Sequence, residues 1–236
     1  MKTYRFIIYL LIITGLTLSG CNMSINKSIY IDDGETVNIG PKTVNGSIRI
    51  GNNCIVKGGS RTVNGSIKVG RNCEVKSLKT VNSGIGVGKN SVVDGEISTV
   101  NGSVTCDEGV QVTDDISTIN GSINCYPGVK VDGDLSNING KIYLKNTNVK
   151  DDIRTYTGNI TLLDKSIVEG DIIIKRSKSF TRRFRTLKIK ISEGSVVKGD
   201  IFVKDRDLRV KVFLIQGGKV EGRIKNAKVV EEEDRI

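Results

Sequence analysis

The chain has 236 residues, with 36 lysines and arginines against 26 aspartates and glutamates and so a formal net charge of +10. It contains no histidine and no tryptophan, which excludes a Cys-His nucleophile and the histidine base of a hexapeptide acyltransferase, and leaves imidazole out of any zinc site. Its 27 glycines, two prolines and abundance of valine and isoleucine favour strands and tight corners over helices.

Residues 1–20 read as a secretory signal. Lys2 and Arg5 precede an apolar stretch from Phe6 to Thr14, and Leu18-Ser19-Gly20-Cys21 closes it with small residues before a cysteine. The stretch is too short for a membrane span. This segment resembles the lipobox region of bacterial lipoproteins. The resemblance implies that Cys21 becomes the mature N-terminus, its sulfur carrying a diacylglycerol and its amine a further acyl chain such as palmitate. In Gram-negative members, a residue such as Asn22 in place of aspartate after the cysteine implies transfer to the outer membrane, facing periplasm or surface. Residues 21–27 then form the lipidated N-terminus and tether, and the mature chain keeps a charge of about +8 once Lys2 and Arg5 are removed.

From residue 28 one phrase recurs. Thr43-Val44-Asn45-Gly46-Ser47-Ile48 returns at Thr62, Thr80, Thr99 and Thr118, with worn copies at Asn137 and Thr155, so the interval never varies by more than one position. Such a period marks a solenoid. Two positions after Ile48, Ile67, Ile85, Val104, Ile123, Ile142 and Ile160 stand Ile50, Val69, Val87, Cys106, Cys125, Leu144 and Leu162, a half-buried strand by its alternation. A second strand carries Val56, Val75, Val93, Val112, Val131, Val149 and Val168 in one column. A third places Leu78, Ile97, Ile116, Leu135 and Ile153 inward, with Val81, Val100, Ile119, Ile138 and Tyr156 three positions later as a further apolar column. Ile29, Tyr30, Ile31 and Val37 fit the same frame one rung earlier.

The expected fold is all-β: a single-stranded parallel β-helix (β-solenoid) of about eleven rungs with three short strands each, roughly 50 Å long at the inter-strand spacing. Right-handed crossovers are expected. At the corner, asparagine and glycine are expected to supply positive φ. Asn45, Asn64, Asn82, Asn101, Asn120 and Asn139, stacked in register, should hydrogen-bond amide to amide. Asn82-Ser83-Gly84 departs from the phrase and suggests a corner re-formed with its glycine one place later.

Regular rungs extend over residues 28–174. Beyond them Ser166-Ile167-Val168-Glu169-Gly170-Asp171-Ile172, Ser195-Val196-Val197-Lys198-Gly199-Asp200-Ile201 and Lys219-Val220-Glu221-Gly222-Arg223-Ile224 repeat at wider, unequal intervals, so the extra length must loop out. With Val93-Asp94-Gly95-Glu96-Ile97 and Val131-Asp132-Gly133-Asp134-Leu135, these units resemble those of bactofilins and related polymer-forming proteins, over roughly residues 28–226. That resemblance implies a triangular parallel β-helix and self-association by rung stacking. The Thr-Val-Asn-Gly phrase looks more like that of adhesin-like bacterial envelope proteins.

Three constellations invite chemistry. Cys54 with Cys73, and Cys106 with Cys125, are each one repeat apart; in-register rungs place each pair about 4.8 Å apart at Cα, so either two disulfides or a buried thiol stack is expected. Glu96, Asp115, Asp134, Asp152, Asp171 and Asp200 each precede an inward aliphatic residue, so their carboxylates should line one edge. They either bridge calcium between rungs or bond nearby backbone N–H groups at the corners. Residues 175–190 form a basic excursion leading into the next rung, with Lys175, Arg176, Lys178, Arg182, Arg183, Arg185, Lys188 and Lys190, no acid, and Phe180 and Phe184 interleaved. It is either a solvated loop or a site for anionic glycan, lipid headgroup or envelope polymer. Terminal rungs fill 191–226, and a charged tail, 227–236, includes Glu231-Glu232-Glu233-Asp234.

No catalytic residue and no cofactor is expected, because neighbouring carboxylates such as Asp114-Asp115 and Asp151-Asp152 point opposite ways and cannot face each other across a groove. The expectation is a lipid-anchored, rod-like structural or interaction protein of the cell envelope, open to self-association. An anion-binding or adhesin-like module is the alternative, with a polysaccharide-active enzyme behind both and nucleic acid not a partner.

Overall fold

The computed structural model describes residues 23–175 and 186–231. Among them there is no helix, and every strand pairing is parallel. Eleven strands, from Ile29–Ile31 through Ile48–Ile50 and Ile67–Val69 to Lys228–Glu231, stack into one sheet, the first face of a β-solenoid of about ten turns. The second and third strands of each turn, such as Gln111–Val112 and Ile116–Asn120, join in a second sheet of 19 strands.

The register is one of like over like. Ile85 lies on Ile67 and under Val104, Val112 under Val131, and Ile116 under Leu135. Alternation therefore sends the same columns inward at each rung. Ile48, Ile67, Val104, Ile123, Ile142 and Ile160 are fully buried, as are the second-strand valines from Val93 to Val168 apart from a trace at Val112. One rung buries little by itself, so each is stabilised chiefly by the neighbours above and below.

Departures from the common period are absorbed outside the columns. The first shortened step is taken where Gly58-Gly59 of one rung faces Ser77 of the next, since Val56 pairs with Val75 but Ser60 with Leu78. The compensating residue returns as a bulge at Gly95, between the pairs Asp94–Lys76 and Ile97–Leu78. The longest step keeps Ile160 under Ile189 and Val168 under Val197, so all the added length lies between the strands Ile172–Ile174 and Leu187–Ile191. The rod also extends past the expected limits. Met23–Ser24, within the expected tether, pairs with Lys42–Thr43, and Lys228–Glu231, within the expected tail, pairs with Lys211–Leu214.

Two expectations about the corner are corrected. The glycines of the repeated phrase are not there for positive φ, which of this set only Gly140 adopts. A Cβ on Gly65, Gly102 or Gly121 would instead land on the carbonyl oxygen of Gly46, Ser83 or Gly102 in the rung below. Positive φ belongs to a different corner, after the first strand, at Asn53, Asn72, Asn90, Gly109, Gly128 and Asn146. At Asn82-Ser83-Gly84 the corner is not re-formed: Asn82 keeps its register, Ser83 takes the glycine's place and Gly84 the serine's.

The third strand also differs. Val81, Val100, Ile119, Ile138 and Tyr156 are only half-buried, and the inward position belongs to the residue before each. Thr62, Thr80, Thr99 and Thr118 are buried, each hydroxyl donating at 2.7–2.8 Å to a corner carbonyl one rung below. Threonine carries its own donor to an oxygen that would otherwise be stranded away from water. Asn137 occupies this column at 1 % exposure, and neither its amide oxygen nor its nitrogen finds a partner.

Two stability measurements test this packing. Gly102→Ala should lower the free energy of unfolding by about 1–3 kcal/mol, as backbone must move to admit the methyl group, whereas Gly86→Ala, with nothing within 4 Å of the new Cβ, should leave the urea midpoint nearly unchanged. Asn137→Thr should raise stability by about 1–2 kcal/mol, since it removes an orphaned buried amide and restores the column's hydroxyl-to-carbonyl bond.

Candidate interaction surfaces

At the edge between the third strand of one turn and the first of the next, the asparagines form the expected ladder, one member longer than the sequence suggested. The Nδ2 of Asn45 donates to Oδ1 of Asn26 at 2.7 Å, and the pattern continues through Asn64, Asn82, Asn101, Asn120 and Asn139 at 2.6–3.0 Å. Thr157 ends it, its hydroxyl donating to Oδ1 of Asn139. An amide is both donor and acceptor, so identical side chains satisfy one another when stacked.

The carboxylate column is a backbone device of the same kind. Oδ1 of Asp115 accepts the N–H of Asp134, and Asp134, Asp152, Asp171 and Asp200 accept those of Asp152, Asp171, Asp200 and Arg223 at 2.7–3.0 Å. The Arg154 guanidinium lies between Asp134 and Asp152 and pairs with both, and Lys79 pairs with Glu96. Of the two roles open to this column, the geometry supplies the corner role. No group of three or more carboxylates, thiols or imidazoles among the described residues is placed to hold a metal ion.

All four cysteines of the rod are buried free thiols, the second of the two arrangements that spacing left open. A Cα separation of about 4.8 Å suits a disulfide, but in-register stacking keeps the Cα–Cβ bonds parallel, so the Cβ atoms stay about as far apart, beyond the roughly 3.5–4.5 Å a bridge prefers. Cys54 and Cys73 replace serine in a corner column. Their thiols donate at 3.0 Å to the carbonyls of Asp32 and Gly51, as the Ser91 hydroxyl does to Gly70 at 2.9 Å. Cys73 and Ser91 in turn accept the N–H of the residue below, Cys54 and Cys73. Cys106 and Cys125 pair within the first-face column. The hydrogen bond with Cys106 and burial hold the Cys125 thiol well above the usual range, and burial raises Cys73.

The basic excursion is divided. Arg176, Lys178, Arg182, Arg183 and Arg185 lie outside the described residues, as do residues 1–20, Cys21, Asn22 and the acids Glu232, Glu233 and Asp234. Lys175 directly follows the third strand Ile172–Ile174, its Nζ 6.0 Å from the Tyr156 ring, and burial, with Arg154 and Lys204 nearby, pushes its pKa down. Lys188 and Lys190 are instead on a first-face strand, where Leu187, Ile189 and Ile191 point inward.

That placement reveals a column the sequence reading missed. Lys188 pairs with Lys211 and Lys211 with Lys228; below them Asn159 accepts the N–H of Lys188 through Oδ1, and Lys141 lies one rung further down. All four lysines are exposed. The signal was the alternation in Leu187-Lys188-Ile189-Lys190-Ile191 and Val210-Lys211-Val212, obscured by the unequal steps around it. Charge follows the same division: residues 23–140 hold 11 basic and 12 acidic side chains, residues 141–236 hold 23 and 14.

Elsewhere the first face is nearly neutral and shallow. Gly84, Gly86 and Gly88 leave a groove of about 370 Å³ bordered by Lys68, Thr105 and Asp107. Tyr126 and Tyr143 follow along the face, ring centroids 6.4 Å apart. A scan of protein-family models and searches of curated proteins and of solved structures found nothing that matches the chain.

With Cys21→Ser removing the one thiol outside the rod, the native protein should not react with a thiol reagent at pH 8 and should release four equivalents on unfolding. The folded pKa values of Cys73 and Cys125 are raised, so their contribution is complete below the unfolded value of about 8.5 and is lost as pH rises beyond it. The melting temperature should therefore fall above that pH, and less so in a Cys106→Val/Cys125→Val variant.

Proposed function

We propose that this chain is a lipid-anchored structural or interaction protein of the bacterial cell envelope. The observation that carries the reading is the pairing of a lipobox-like start with a rod whose recurring polar side chains are largely spent on its own neighbours. Threonine hydroxyls, aspartate Oδ1 atoms and the asparagine amides all bond between rungs. Such a molecule offers length and faces, and its shallow groove has only Lys68 and Asp107 as ionisable lining. A scaffold fits this better than an enzyme.

The resemblance to bactofilins supports self-association as part of that role. Among the described residues the last rung is the least covered: Val229 is 38 % exposed, and Val220 and Ile224 are only half-buried. Strand edges of this kind template further pairing unless covered.

Metabolic labelling with a palmitate analogue tests the anchor. Labelling and sedimentation with membranes are expected for the wild type and should both vanish in Cys21→Ser. A variant that keeps its label, or a wild type that never acquires one, removes the anchored reading.

A further inference from the structure

Several basic side chains of this rod meet an acid one rung away. Lys76 pairs with Asp94, Lys89 with Glu108, Lys150 with Asp132 and Lys198 with Glu169, each across one rung. The run Lys42, Arg61, Lys79 is followed by Ser98, and Glu96, two positions before Ser98, pairs with Lys79. The lysine column of the first face has no such relief, since neither Lys141, Lys188, Lys211 nor Lys228 pairs with a carboxylate among the described residues. Unlike asparagine, an ammonium has three donors and no acceptor, so lysines cannot satisfy one another by stacking.

We propose that this column binds an acidic polysaccharide lying along the rod axis, its charged groups over Lys141, Lys188, Lys211 and Lys228, with Lys190 beside them. The column spans four inter-strand steps, about 19 Å, in single file on a flat strand face. A linear polymer meets single-file charges repeating at each rung, and a sugar unit with its glycosidic link covers about one rung. Tyr143, two positions from Lys141 on the same face and against Tyr126, offers a ring on which a sugar can stack. A duplex would present two curved phosphate lines and a bilayer a plane, so neither makes use of one straight file. Asn159 and Thr161 interrupt the charge with hydrogen-bonding groups suited to sugar hydroxyls.

The site includes none of residues 176–185 and does not depend on lipidation, so failure of the Cys21 labelling leaves it standing, and its own failure leaves the anchor untouched. The full-length chain in detergent is titrated with polygalacturonate, galacturonate monomer, phosphatidylglycerol vesicles and duplex DNA. Polygalacturonate should bind with a strong salt dependence and the monomer should not. Lys188→Gln/Lys211→Gln/Lys228→Gln should weaken polymer binding at least tenfold with an unchanged melting curve. The matched triple Lys42→Gln/Lys57→Gln/Lys130→Gln, on the other faces, should stay within twofold. Equal losses in the two triples overturn the site, as does binding that survives the first triple and disappears on deletion of 176–185. Vesicles or duplex binding through the same lysines at least as tightly as polygalacturonate overturn the choice of ligand.

Discussion

Parallel pairing in register, with one rung about every 4.8 Å, is the constraint from which the rest of this molecule follows. It places each residue directly over its counterpart, so a side chain is tolerated only if it can lie on a copy of itself or on a close substitute. Isoleucine and valine do so by dispersion and burial. At the corners the carbonyl of one rung comes so close to the Cα of the next that only hydrogen fits, which is why glycine recurs at Gly65, Gly102 and Gly121 without any positive φ.

The same constraint sorts the polar residues. Asparagine stacks well because one amide donates what the next accepts. Aspartate stacks only by turning one oxygen onto the backbone N–H of the following rung and leaving the other to an arginine or to solvent. Threonine, serine and cysteine occupy corner columns because a single hydroxyl or thiol both accepts from and donates to the backbone of the rung below, or donates to a buried carbonyl. Lysine has no version of this, and two ammonium groups about 5 Å apart repel by about 0.8 kcal/mol even in water. A lysine column is therefore a ladder that the fold itself does not explain.

Periodicity made the core columns, the parallel solenoid and the asparagine ladder legible in the sequence, because each is a direct projection of like over like. The less legible features depend on distances between rungs. Val81, Val100 and Ile119 outscore their threonine neighbours on hydrophobicity, yet Thr80, Thr99 and Thr118 are buried because the corner carbonyls need a donor. Cα spacing alone left the cysteine pairs ambiguous, whereas parallel Cα–Cβ bonds favour free thiols. The lysine column was hidden because Lys141, Lys188, Lys211 and Lys228 follow no common interval along the chain, and only the pairing of Ile160 with Ile189 and of Val212 with Val229 brings them into file. A large part of the basic excursion, and Cys21, lie outside the described residues.

Nearest-neighbour stacking also allows the two ends of the rod to differ in chemistry without differing in fold. A rung senses only the rungs on either side, so the chain can take its longest step between Ile174 and Leu187, in replacement of an Asn-Gly corner, without disturbing the Ile153–Ile172–Ile201 column. The asparagine ladder stops at Thr157, just before that replacement, and the excess of positive charge begins in the same region. If the chain is moored near Cys21, its near-neutral rungs serve as a stalk and its basic rungs stand farthest from the lipid. On that proposal, such an end is held away from the bilayer by the rungs below it and is better placed for a polymer than for the headgroups at its base, so the rod's length would set how far from the membrane that contact is made.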